Sequence, residues 1–93
     1  MYVDYPIKAS ENAKAGYIHN LIKGKKCNNA IGVKTAVKLI NRQRLSESFV
    51  KKIYSYLSRS KVYSYEYNSC GWISYNLWGG NEMLKWCKKT LNK

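Results

Sequence analysis

Lys34, Lys38, Arg42, Arg44, Lys51 and Lys52 are six cationic side chains in one continuous stretch of the chain. Residues of this type at this density bind anions. An arginine offers a planar fork of donors to phosphate or carboxylate, and a lysine offers a mobile point charge. The segment Asn41-Arg42-Gln43-Arg44 sets two guanidinium groups on either side of a neutral donor. Contacts from these side chains to successive phosphates would give affinity without sequence choice. The same residues also suit an acidic protein surface, or a basic turn that is merely solvated.

Other chemistry has less support. His19 is the lone histidine and sits beside no obvious nucleophile, which is the pattern of an ordinary surface or boundary residue. Cys27, Cys70 and Cys87 are odd in number and include no CxxC pair, so free thiols in a reducing compartment are the expectation. Their spacings do not match paired zinc ligands, and no metal or cofactor is expected. The motifs of nucleotide-binding proteins, metalloproteases and serine hydrolases do not occur. Of the five carboxylates, Glu11, Glu47 and Glu82 each follow or neighbour a residue suited to capping a helix: Ser10, Ser46 and Asn81. They are most simply helix-start devices facing the helix dipole, not a catalytic pair. The expectation is a protein without catalysis of its own.

The elements that would carry these residues read as helices. Residues 1–9 form an extended lead-in, with Tyr2, Tyr5 and Ile7 available for packing and Pro6 delaying the first helix. A single domain then covers 10–93. Ala13, Tyr17, Ile18, Leu21 and Ile22 predict a helix from Ser10 to Lys23, weakened by Gly16. Val33, Ala36, Val37 and Ile40 predict a second, from Gly32 or Val33 to Asn41. Phe49, Val50, Ile53, Tyr54 and Leu57 predict a third, behind the Ser46 cap. Residues 32–59 thus form a helix–extension–helix unit, similar in outline to SAP or LEM modules. Residues 60–68 read as a tyrosine-rich loop whose Tyr63, Tyr65 and Tyr67 either cover the core or are presented.

The segment Cys70 to Cys87 holds every tryptophan: Trp72, Trp78 and Trp86. It predicts two short helices folded about Gly79-Gly80, with Leu77 and the tryptophans in the core. The expected architecture is all-α, a compact bundle of about five short helices. Seventeen Lys and Arg against five Asp and Glu give a net charge of +12. An AT-rich coding sequence would also enrich Lys, Asn, Ile and Tyr, but it does not account for so few carboxylates. An anionic partner does. No apolar run reaches the length of a membrane span, and MYVDYPIKASENA lacks the pattern of a secretory signal.

A more specific resemblance covers roughly residues 10–91. GVKTAVKLINRQRLSESFVKKIYSYLSR followed by CGWISYNLWGGNEMLKWCKK resembles a small domain of tailed phages, carried beside or within prohead proteases and other head-morphogenesis proteins. The shared features are a helix starting after Gly32, the Asn41-Arg42 and Leu45-Ser46 turn, and Leu77-Trp78-Gly79-Gly80 followed by acidic Glu82. The Lys-, Asn- and Tyr-rich composition is similar to that of crAss-like phage products. The resemblance implies an accessory structural protein of a virion. Its site would be at the head or portal, in multiple copies, after passage through the host cytoplasm during assembly. The other expectation is a small SAP-like module that binds DNA phosphates non-specifically through Lys38, Arg42, Arg44, Lys51 and Lys52.

Overall fold

A computed structural model describes residues 2–24, 27, 30–60 and 66–91. Its five helices are α1 (Ile7–Ile22), α2 (Ala30–Ile40), α3 (Glu47–Ser60), α4 (Cys70–Leu77) and α5 (Gly80–Leu91). The all-α bundle expected from periodicity is what forms. One isolated antiparallel bridge, Tyr2 to Leu45, ties the lead-in to the α2–α3 connection through two backbone bonds of 2.8 Å.

α1 is the hub. It packs on α4, α2 and α5, whereas α3 packs chiefly on α5. The two helices of the expected helix–extension–helix unit therefore have different principal neighbours. The core joins Ala9 and Ala13 of α1 and Ala36 and Leu39 of α2 to Val50, Ile53 and Leu57 of α3. Ile73 and Leu77 of α4, Met83, Leu84 and Cys87 of α5, and Tyr5, Leu45 and Trp78 from the connecting segments complete it. Alanines on α1 and α2 let those helices approach closely.

Gly16, which local propensity marks as a weakness in α1, has a packing role. A Cβ there would lie 2.8 Å from the Leu77 backbone nitrogen and 2.9 Å from the Ile73 carbonyl oxygen. The α1–α4 crossing is thus built backbone to backbone, which only glycine permits. Gly79 adopts φ +108° in the α4–α5 turn, as its expected left-handed conformation requires. A side chain there would also collide with Met83.

The caps differ from expectation in two of three places. Ser46 does cap α3, accepting the Phe49 N–H at 3.1 Å. Ser10 does not cap α1, because that helix already starts at Ile7 behind Pro6. Its hydroxyl donates instead to the Leu39 carbonyl at 2.7 Å, and Glu11 lies 3.9 Å from Lys8. Asn81 lies inside α5, where it accepts from the Tyr75 hydroxyl. The cap that spacing did not single out is Ser69, which accepts the Trp72 N–H at 3.2 Å and starts α4.

The tryptophans divide their work. Only Trp78 belongs to the buried core. Trp86 is half-buried and holds the lead-in, with the rings of Tyr2 and Tyr5 edge-on at 5.7 and 6.0 Å. Trp72 packs edge-on to His19 and Tyr67, at 4.9 and 4.8 Å. Ile7, expected to pack, is exposed. Tyr67 is 72% exposed, and Tyr63 and Tyr65 lie outside the described residues.

The expectation of free thiols is overturned at two of three cysteines. Cys27 and Cys70 form a disulfide, with their Cα atoms 5.3 Å apart. The packing of α4 on α1 brings these residues together across 43 positions of sequence. Spacing alone could not reveal that, because it depends on how the helices pack. Cys87 is free and buried, and burial pushes its thiol up to about 12, so it stays protonated and unreactive at neutral pH.

Candidate functional site

The six cations singled out from sequence do not form one surface. Arg42 turns inward. It sits at φ +54° just beyond α2, and its guanidinium gathers the lead-in. Nη1 donates to the Pro6 carbonyl at 3.1 Å and to Ser10 Oγ at 2.9 Å. Nη2 donates to the carbonyls of Val3 and Tyr5, at 3.2 and 2.6 Å. The same group lies 4.3 Å from the centroid of the buried Tyr5 ring. Burial raises the Tyr5 pKa, partly offset by the neighbouring Arg42 charge. Arg42 is therefore a clamp on backbone carbonyls whose donors are already engaged, not a side chain free to meet successive phosphates. Sequence presents the Asn-Arg turn as a contact point because it cannot show that the lead-in folds back over it.

The others spread out. Lys38 is half-buried with its ammonium 5.1 Å from the Phe49 ring centroid, a cation–π contact between α2 and α3. Lys51 lies 3.5 Å from Glu47 on the exposed surface, a pair worth little in stability. Lys34 and Arg44 are exposed but lie on separate elements. Lys52, on the outer side of α3, lines a groove.

Two grooves flank α3. One lies between α3 and α5, with Tyr54, Ser58, Asn81, Leu84, Lys85 and Lys88 around a volume of about 340 Å³. The other, of about 420 Å³, has Ile31 of α2 on one wall and Lys52, Ser55, Tyr56 and Arg59 of α3 on the other. Trp78 also lines it. Tyr56 stacks on Trp78, with centroids 4.3 Å apart and rings within 15° of parallel. Arg59 donates to Ser55 Oγ at 2.7 Å, one turn back on the same helix. Among the described residues, Lys52, Arg59, Lys85 and Lys88 have no acidic partner within ion-pair distance. The sequence pattern does not single out Arg59, Lys85 or Lys88. Helix packing sets Lys85 and Lys88 in the α3–α5 groove and Arg59 with Lys52 in the α2–α3 groove, and no local signal announces that packing.

The carboxylate nearest this side is already occupied. Asn12 of α1 donates Nδ2 to Glu82 Oε1 at 2.7 Å and to the Gly79 carbonyl at 2.9 Å. That bond holds the Glu82 carboxyl below its ordinary range despite some desolvation. It also locks the LWGG turn to α1. Leu77, Trp78, Gly79 and Gly80 are all buried, as expected of a structural turn.

His19 sits at the far end of α1 from this turn. Its Nδ1 lies 2.7 Å from Asn68 Oδ1 and its Nε2 lies 3.4 Å from the Tyr67 hydroxyl. With the amide oxygen as acceptor, Nδ1 carries the proton and Nε2 can accept from Tyr67. The imidazole thus fastens the segment leading into α4. Beside it, Ile18, Leu21 and Ile22 are exposed. Among the described residues, no three His, Cys, Asp or Glu side chains gather as a metal site would require, and no helix is long and apolar enough to cross a membrane.

No known protein family, no characterised protein and no solved structure matches this chain.

Proposed function

We propose that this protein is a non-catalytic accessory component of a phage virion that attaches to an acidic protein surface, such as a capsid or portal, through α3 and α5. The observation that carries the reading is the set of cations without an ion-pair contact on one helix pair, Lys52 and Arg59 with Lys85 and Lys88, set beside tyrosines in shallow grooves. A basic surface with few carboxylates attracts an acidic partner over long range and orients it. Tyrosines add contact area at little conformational cost. The phage assignment rests on the resemblance carried by the Asn-Arg turn and LWGG.

The disulfide favours this reading over a DNA-binding module confined to the host cytoplasm. Disulfides persist on virions and other oxidising surfaces and are rare where thiols are kept reduced. The loss of Arg42 to the interior also removes the centre of the proposed phosphate-contacting turn. The test is quantitative mass spectrometry of purified particles, paired with gel-shift titration of the isolated protein against duplex DNA. The reading requires a fixed copy number per particle and weak DNA affinity. Absence from particles, or tight salt-sensitive DNA binding, would overturn it.

A further inference from the structure

Trp78 is 5% exposed, and its Nε1–H is buried with no hydrogen-bond partner among the described residues. A buried donor left unpaired costs on the order of 1–3 kcal/mol, so its persistence calls for an explanation. Core packing alone does not provide one, because a phenylalanine or leucine would fill space without the orphaned donor. The tryptophan also lines the groove that holds Lys52 and Arg59. The groove therefore combines two cations without an acidic partner in ion-pair distance, a stacked aromatic floor with the unsatisfied donor buried beneath its surface, and the exposed apolar side chain of Ile31.

We infer that this groove is the seat for an extended acidic peptide segment of the partner, with a backbone or side-chain carbonyl accepting the Trp78 N–H. The inference rests on the proposed acidic partner and names the part of it that binds. Lys52 and Arg59 are seven positions apart on α3, roughly 10 Å along the axis at about 1.5 Å per residue. Carboxylates two or four residues apart on an extended segment are separated by about 7 or 13 Å, at about 3.3 Å per residue. Those values bracket the spacing of the cations, and long lysine and arginine side chains take up the difference. An apolar residue between the carboxylates would lie against Ile31 and Tyr56. The volume, about 420 Å³, suits a few residues and not a folded domain. In the free protein the N–H, which lies in the indole plane, is buried, so seating the carbonyl requires the groove wall at that edge to open.

The test follows the indole N–H signals of the three tryptophans by NMR, assigning Trp78 from the signal lost in Trp78→Phe. The probes are an acetylated, amidated Glu-Leu-Glu-Leu-Glu peptide, its Gln-for-Glu counterpart, and a short oligodeoxythymidylate. The acidic peptide should shift the Trp78 indole downfield as it gains an acceptor, leaving Trp72 and Trp86 in place, while the neutral peptide does nothing. Lys52→Gln with Arg59→Gln, both exposed positions, should keep the fold and weaken binding about tenfold. Binding of the acidic peptide without movement of the Trp78 signal would refute the seat and leave the acidic partner standing. Movement of Trp78 by the oligonucleotide alone would overturn the partner class. If neither probe binds, both fall.

Discussion

The two sides of this bundle use their polar side chains in opposite ways. Around α1 they are turned inward: Arg42 holds the carbonyls of Val3, Tyr5 and Pro6, Ser10 holds Leu39, Asn12 holds Gly79 and Glu82, and His19 holds Asn68. Along α3 and α5, Lys52, Arg59, Lys85 and Lys88 face outward and make no ion-pair contact, although the Lys85 charge reaches the Glu82 carboxylate. A local count of cations ranks the Arg42 turn above α5. The fold reverses that order, because a guanidinium surrounded by carbonyls is structural material and an unpaired lysine is a binding resource. The lesson is to ask what each charge already touches before assigning it a partner.

The strongest way to break this division is to loosen the α1 side and see whether the α3–α5 side goes with it. Cys27→Ser removes a bridge that closes a loop of 43 positions. The chain-entropy relation assigns such a loop about 4 kcal/mol. We expect a melting point lowered by well over 10 °C, measured by circular dichroism in the variant and in the reduced wild type. Equal melting curves with and without reductant would mean that the bridge does not constrain the unfolded chain, and that α1 and α4 are held by packing alone.

Gly16→Ala tests that packing directly. The added methyl group meets backbone atoms of Ile73 and Leu77 that cannot rotate away, so α1 and α4 must separate. Overpacking of this kind costs about 3 kcal/mol, even though alanine has the better helix propensity. A gain in stability would show that α1 and α4 do not cross backbone to backbone at this position.

Gly16 also marks the limit of what sequence discloses. Helical periodicity discloses the five helices but not always their buried face: Ile18, Leu21 and Ile22 of the α1 pattern are exposed, and Ala9, Ala13 and Gly16 are buried. The LWGG turn is legible because paired glycines describe local backbone. What the periodic pattern cannot contain is the identity of the opposite surface. Gly16 reads as a flaw until α4 lies on it, and Cys27 and Cys70 read as unrelated until the same contact joins them. Ser10 and Asn81 looked like caps because their type suits a helix start, yet both side chains found tertiary partners instead. The site was less legible than the fold. Of the six cations chosen, Lys52 lines a groove, joined there by Arg59, and Lys85 and Lys88 gain their meaning only when α3 and α5 pair.

The sharpest form of the comparison sets Arg42→Ala against the double change Lys85→Gln with Lys88→Gln. Truncating Arg42 strips donors from four oxygen atoms, three of them lead-in carbonyls, and leaves the buried Tyr5 without its cation. We expect a loss of about 2 kcal/mol, with the lead-in becoming protease-sensitive. Arg42→Lys should recover only part of it, since an ammonium lacks the planar fork that reaches these acceptors together. The α5 pair should leave melting within a degree or two, because neither lysine has an ion pair to lose. Affinity for the acidic Glu-Leu-Glu-Leu-Glu peptide should respond the other way. Corrected for the unfolded fraction, it should stay constant in Arg42→Ala and fall by severalfold in the lysine variant, most clearly at low salt where screening is weak. If Arg42→Ala kept its stability and lost its ligand, the clamp would be a contact residue after all.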